Sequence, residues 1–302
     1  MDLKSKIILI YGPTASGKSD FAIKLAKKIN GEIINADSMQ VYKELKILSA
    51  RPFIKDYKKI KHHLYGIQSV KKNFSSGDWL KLVNQKITDI KNRKKTPILV
   101  GGTGLYFKVL TEGLVNIPNI PNKFREKIRS LHKTLGSKKF YLNLVKIDPL
   151  VKHRINHSDT QRTIRAYEIK MYTKKSIYDW IKNTKSNYEQ INFYKIYIDF
   201  PRNELLEKIN LRVKKMMKKG AIQEVKKYIK LKVPKNRSAN KAIGINEVKD
   251  FINKKIQIEE AIDRISIKTR QYAKRQSTWG RGNMLDWNKI EPNNLNNFIK
   301  KI

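Results

Sequence analysis

The segment Gly12-Pro13-Thr14-Ala15-Ser16-Gly17-Lys18-Ser19 constrains this chain more than any other. It fits G-x-x-x-x-G-K-[ST], a loop whose backbone N–H groups cradle phosphate oxygens, and its flanks suit that role. The run Lys6-Ile7-Ile8-Leu9-Ile10-Tyr11 before it reads as a buried strand, and Phe21, Leu25 and Ile29 after it recur at the spacing of an amphipathic helix. A strand, a glycine loop and a helix in that order gather unpaired N–H groups and the positive end of a helix dipole at one point. Lys18 is then expected to reach a terminal phosphate, and the Ser19 hydroxyl to ligate Mg²⁺. The plain alternative is a glycine turn that binds nothing. The loop implies a diphosphate or polyphosphate ligand without saying which.

The same alternation continues for the first third of the chain. Glu32-Ile33-Ile34-Asn35 reads as a second strand, Trp79, Leu82, Val83, Ile87 and Ile90 as the apolar stripe of a helix, and Pro97-Ile98-Leu99-Val100 as a third strand leading through Gly101-Gly102-Thr103-Gly104 into a helix from Leu105. Strand and helix in alternation predict a parallel sheet with helices on both faces. The grammar changes at Asn116-Ile117-Pro118-Asn119-Ile120-Pro121, where two prolines mark a boundary. Helical patterns alone follow until a strand at 193–199. The expected fold is therefore α/β: a P-loop NTPase-like parallel-sheet core, residues 1–115 and 188–302, with an inserted helical domain, 116–187. The C-terminal third reads as mostly helical, with Gly220, Gly244 and Gly280 as candidate breaks.

Composition narrows the function. No cysteine is present, which excludes disulfides and thiolate zinc sites, and the five histidines show no strong metal spacing; His153 and His157 are four apart but lie in basic surroundings. Residues 1–6 lead straight into the first strand without a signal-peptide pattern, and no apolar run approaches the roughly 18 residues that span a bilayer. A soluble, cytoplasmic protein is expected, with no membrane partner and nothing to suggest an obligate dimer, hence a monomer. Lys and Arg total 66 against 26 Asp and Glu, a formal charge of +40. Such a surface attracts nucleic acid, although a genome rich in Lys, Asn and Ile codons would also raise it.

Four constellations carry the chemistry. Asp37 ends the second strand, at the sheet edge where ligands of open α/β sheets sit. It suits a general base, and it also suits a cap for the next segment. The third strand ends in Val100-Gly101-Gly102-Thr103 without the carboxylate that motor ATPases and GTPases use to hold Mg²⁺; the glycines permit either close approach of a ligand or a tight turn. Gln161, Arg162 and Arg165 crowd a helix start after Asp159, where they could grip base edges and phosphates or simply be solvated. Residues 269–281 interleave Arg270, Lys274, Arg275 and Arg281 with Tyr272 and Trp279, a pattern that suits a nucleic-acid backbone, with Trp279 more suited to the core than to base stacking.

In this order and spacing the motifs GPTASGKS at 12–19, ADSMQVY at 36–42, HHL at 62–64, GGTGLYF at 101–107, QRTIRAYEI at 161–169 and TRQYAKRQSTWGR at 269–281 resemble the bacterial tRNA isopentenyltransferase (dimethylallyltransferase) family over most of the chain. The resemblance implies transfer of a dimethylallyl group from dimethylallyl diphosphate to the exocyclic N6 amine of the adenosine 3′ of the anticodon. It implies that Gly12, Pro13, Thr14, Ala15, Ser16, Gly17, Lys18 and Ser19 hold a diphosphate in place of ATP, with Ser19 on Mg²⁺. It implies Asp37 as the base, Thr103 beside the target nucleotide and Arg212 near the diphosphate. For the tRNA anticodon stem-loop it implies contacts from Asp37, Ser38, Met39, Gln40, Thr103, Arg125, Gln161, Arg162, Thr163, Ile164, Arg165, Lys274, Arg275 and Arg281.

Two stretches depart from the family pattern. Leu48 stands where a glycine is usual and Arg51 where a lysine is, in Ile47-Leu48-Ser49-Ala50-Arg51-Pro52, and Ala242-Ile243-Gly244-Ile245-Asn246 lacks the usual Tyr and Lys after its glycine. The competing reading from the residues alone is a P-loop small-molecule kinase, which shares the loop, the acid and Mg²⁺ but has no use for the Arg/Trp strip. A non-catalytic RNA-binding protein would not need Lys18, Ser19 and Asp37 all intact.

Overall fold

Six parallel strands form one sheet, in the order β3-β2-β4-β1-β5-β6, in the computed structural model, which describes residues 3–302. These are β1 (Ile7–Tyr11), β2 (Gly31–Asn35), β3 (His62–His63), β4 (Thr96–Gly101), β5 (Phe193–Ile198) and β6 (Asn288–Ile290). β1 is central because all five of its side chains can be buried, and both its neighbours, β4 and β5, run parallel to it. Its alternation sorts two cores. Ile7, Leu9 and Tyr11 pack with Trp79, Val83, Ile87 and Ile90 of α2 (Ser76–Asn92) and with Tyr106 and Phe107 of α3 (Gly104–Thr111). Ile8 and Ile10 face Phe21, Ala22 and Leu25 of α1 (Lys18–Ile29) on the other side. Each fully buried Val, Leu, Ile or Phe among them stabilises the fold by about 1.5–3 kcal/mol. α2 starts where Ser75 and Asp78 form a reciprocal capping box.

The chain divides into two compact units, 1–111 with 188–302, and Glu112–Asn187. The division falls at Glu112, ahead of the proline segment, because Gly113 turns the chain at φ +98° with Lys185 packed against it. The inserted unit comprises α4 (Asn122–Ile147), kinked at Gly136, α5 (Thr160–Thr173) and α6 (Ile177–Lys182) around Ile128, Phe140, Leu144 and Ala166. In the larger unit α7 (Arg202–Lys218), α8 (Ala221–Lys230), α9 (Ile245–Ile252) and α10 (Ile258–Asn283) build a further core with residues 41–48; α11 (Leu295–Lys300) closes the chain.

Gly220 and Gly244 do break the helices: both sit in the left-handed region as N-caps of α8 and α9. Gly280 does not. α10 runs through it to Asn283, and its missing side chain instead lets the helix lie against the Tyr11 and Tyr197 rings. The edge strands β3 and β6 escaped the sequence because two and three residues are too few to show a period.

Candidate active site

The P-loop turns at Ala15 (φ 65°) and Gly17 (φ 79°) before entering α1. Thr14 N–H donates to a side chain of α10 and Ser16 N–H to Pro13 O, whereas the N–H groups of Ala15, Gly17, Lys18 and Ser19 meet no protein acceptor among the described residues. These four and the helix dipole form an anion nest. The Ser16 hydroxyl is 1% exposed and has no hydrogen-bond partner, an orphan that a ligand in the nest can satisfy. The Lys18 ammonium folds back to donate to Pro13 O at 3.1 Å. Burial pushes the Lys18 pKa down to about 8; the negative charge of Asp37 opposes that fall and the positive charge of Arg212 adds to it. Arg212, on α7, is likewise lowered by burial against the pull of Asp37. Asp37, Lys18 and Arg212 therefore share one electrostatic environment although the sequence spreads them over nearly 200 positions.

Of the two expectations for Asp37, the hydrogen bonds show the cap. Its Oδ1 accepts Met39 N–H at 2.8 Å and Gln40 N–H at 3.3 Å; its Oδ2 makes no hydrogen bond among the described residues. The Thr103 hydroxyl accepts Ser38 N–H at 2.9 Å, tying the β4 turn to the Asp37 turn. Burial raises the Tyr272, Tyr65 and Tyr106 phenols well above their ordinary range, with the Asp37 charge adding to each, so all three stay neutral beside it. The sequence offers Tyr272 only as an aromatic of the cationic strip and Tyr106 only as a motif letter, and it gives no sign of Tyr65.

The glycines of the β4 turn serve the protein rather than a ligand. A side chain at Gly101 would meet Ala36 O at 2.0 Å, at Gly102 the Gln276 amide at 2.0 Å, and at Gly104 the Trp279 ring at 2.3 Å. Trp279 is thus an anchor, packed also on Tyr11 with ring centroids 5.7 Å apart. The Gln40 amide nitrogen donates to Ser49 O and Ala50 O, leaving its carbonyl oxygen for a base edge. A basic cavity of about 370 Å³ is lined by Arg212 together with Lys46, Arg51, Lys208, Lys215 and Lys219. A second, of about 450 Å³ between α7 and α10, is rimmed by Arg202, Arg270, Lys274 and Arg281. Arg275 is exposed on another side of α10, so the cationic strip wraps that helix.

The remaining expected tRNA contacts, Arg125 and 161–165, belong to the inserted unit. Gln161 and Arg162 are exposed, with Arg162 held at 2.5 Å by Asp159, and Arg165 pairs with Glu168 at 3.3 Å. Thr163 needs correcting: it is 1% exposed, its hydroxyl bonded to Asp159 O, because the first turn of α5 points this position into the unit's core, and Ile164 packs against that core as well. Arg125 is half-buried, and its Nε has no partner.

The two departures from the family pattern meet in space. Leu48 packs directly over Gly244, 2.6 Å from where a side chain there would begin, in one core with Ala242 and Ile245. Glu224 fixes the same loop by accepting the N–H groups of Lys46, Ile47 and Leu48.

The family model for IPP transferase matches residues 40–283. A tRNA dimethylallyltransferase of Pelagibacter ubique is 58% identical over 302 residues, covering all of this chain and 96% of the relative; one from Rickettsia massiliae is 43% identical over 99% and 83%. The crystal structure of a tRNA isopentenylpyrophosphate transferase from Bacillus halodurans superposes with TM-score 0.70 at 32% identity, covering 98% of this chain and 95% of that one. A eukaryotic dimethylallyltransferase, solved acting on tRNA, gives TM-score 0.82 at 28% identity over 95% and 74%. With its glycine nest, its free carboxylate oxygen and its motifs in this order, the chain belongs to the IPP transferase family.

Proposed function

We propose that this chain transfers the dimethylallyl group of dimethylallyl diphosphate to the N6 amine of the adenosine 3′ of the anticodon in tRNA. The observation that carries the reading is the unpartnered Oδ2 of Asp37, set where its charge acts on both Lys18 and Arg212. The P-loop N–H groups and the orphaned Ser16 hydroxyl hold the diphosphate; Lys18 and Arg212 neutralise it as the allylic C–O bond breaks. The adenine amine forms the new C–N bond and gives its proton to Asp37, so no covalent enzyme intermediate is needed. Ser19 and the diphosphate oxygens suit Mg²⁺, which commonly takes few protein ligands and whose charge would assist the leaving group. No cluster of three His, Asp or Glu exists among the described residues to hold a metal by itself.

The target adenosine must leave its stack to reach Asp37. Ser38, Met39, Gln40 and Thr103 line the approach, and Lys274, Arg275 and Arg281 with Arg125, Gln161, Arg162 and Arg165 bind the RNA backbone. The protein acts as a cytoplasmic monomer; no described helix is long and apolar enough to cross a membrane. The small-molecule kinase reading is not favoured, since the relatives are named as transferases of this one kind. The test is incubation with labelled dimethylallyl diphosphate, Mg²⁺ and an anticodon stem-loop, with ATP as the rival donor. Label on the RNA supports the proposal; label absent from RNA, with ATP consumed instead, defeats it.

A further inference from the structure

Gln276 lies in the C-terminal third of α10, 4% exposed, and uses both ends of its carboxamide on the two loops of the site. Its Oε1 accepts Thr14 N–H of the P-loop at 2.8 Å, and its Nε2 donates to Gly102 O at 2.8 Å. Its own backbone carbonyl accepts the Tyr11 hydroxyl at 2.7 Å, which pins this turn of α10 over the end of β1. Only a carboxamide offers one acceptor and one donor in that arrangement; a carboxylate lacks the donor and an aliphatic chain lacks both. Gln276 also occupies the space a Gly102 side chain would need.

Two consequences follow. The Thr14 N–H is directed away from the nest, which leaves the N–H groups of Ala15, Gly17, Lys18 and Ser19 to face an anion. The Gly102 carbonyl is fixed one residue before Thr103, whose hydroxyl holds the Ser38 backbone next to Asp37. We infer that Gln276 is a positioning residue that keeps the phosphate cradle in register with the Thr103–Asp37 side of the site. The inference rests on the reading of the P-loop as a diphosphate site.

Inorganic diphosphate with Mg²⁺, titrated into the full chain by calorimetry, reads the cradle without any transfer step. Gln276→Met removes both bonds at similar volume. Gln276→Glu keeps an acceptor, loses the donor and adds a negative charge. Both are expected to weaken diphosphate binding by about tenfold or more, Glu further than Met. KM for the allylic diphosphate should rise by the same factor while affinity for the anticodon stem-loop stays unchanged. Gly102→Ala, which displaces the same amide from the opposite side, should reproduce the loss and serves where a Gln276 variant fails to fold. A residue that merely packs would lower the melting temperature and leave KM alone. Folded variants whose diphosphate affinity stays within about twofold of the parent overturn the inference. A parent chain that binds diphosphate but labels no RNA overturns the transfer reading instead, and one that binds no diphosphate overturns both.

Discussion

At the scale of single residues, Asp37 divides its carboxylate between structure and chemistry. Asp37→Asn is the informative change because the Asn carbonyl keeps the acceptor for Met39 N–H while the base is lost. Turnover should fall about 100-fold or more, with RNA binding intact, as single-turnover rates and filter binding will show; an Asn variant as fast as the parent would remove Asp37 from the proton step. Lys18 supplies a second expectation. Its pKa near 8 reflects burial without a bound anion, and an incoming diphosphate must raise it. Binding near pH 8 should therefore take up a proton, and affinity should weaken as pH rises through 8 and Lys18 loses its charge. Calorimetry in buffers of different ionisation enthalpy measures the uptake; buffer-independent heats would refute it. The sequence and its resemblance name these roles; the structure adds the buried surroundings that Lys18 and Arg212 share beside Asp37.

At the scale of elements, β2, β3 and the end of α2 are joined by one carboxylate. Glu32, buried at the start of β2, accepts from His63 of β3 at 2.7 Å and from Arg93 at 2.6 Å, with Lys95 at 3.2 Å. Burial acts to raise its pKa, but these partners outweigh it and bring it down to about 2. The folded value lies below the ordinary 4.5, so this contribution is present above about pH 4.5 and is lost as pH falls towards 2. Glu32→Gln should flatten the acid limb of a pH–stability curve across that window and cost about 1–3 kcal/mol at neutral pH in denaturant titrations. A parallel acid limb in the variant would assign the pH dependence elsewhere. The longer helices were legible in the sequence because their period runs for many residues, and the central strands because they are unbroken apolar runs buried on both faces. The Gly101–Gly104 turn was not, because what its glycines make room for, Ala36, Gln276 and Trp279, comes from distant segments.

At the scale of the whole molecule, the charge of +40 dominates. Several Lys and Arg gather around the two cavities of the larger unit, and others lie exposed on the inserted one. Anticodon stem-loop affinity should fall at least tenfold between about 50 and 200 mM salt, because counterions released into a saltier solution gain less entropy. Lys274→Ala should reduce the slope of log affinity against log salt by about one contact. A flat salt response, measured by fluorescence anisotropy, would separate the charge from RNA binding.

The sequence by itself determined the strand–loop–helix of the P-loop, the parallel sheet, the helical insertion and the family, because these depend on neighbours within a few residues and on motif order. Only the tertiary structure decided that Asp37 keeps one oxygen free, that Thr163 turns inward, that Leu48 covers Gly244, and that Gln276 bonds Thr14 and Gly102 from 262 and 174 positions away. Such pairings are set by how whole elements pack, and no local pattern of side chains records which distant surface an element will meet.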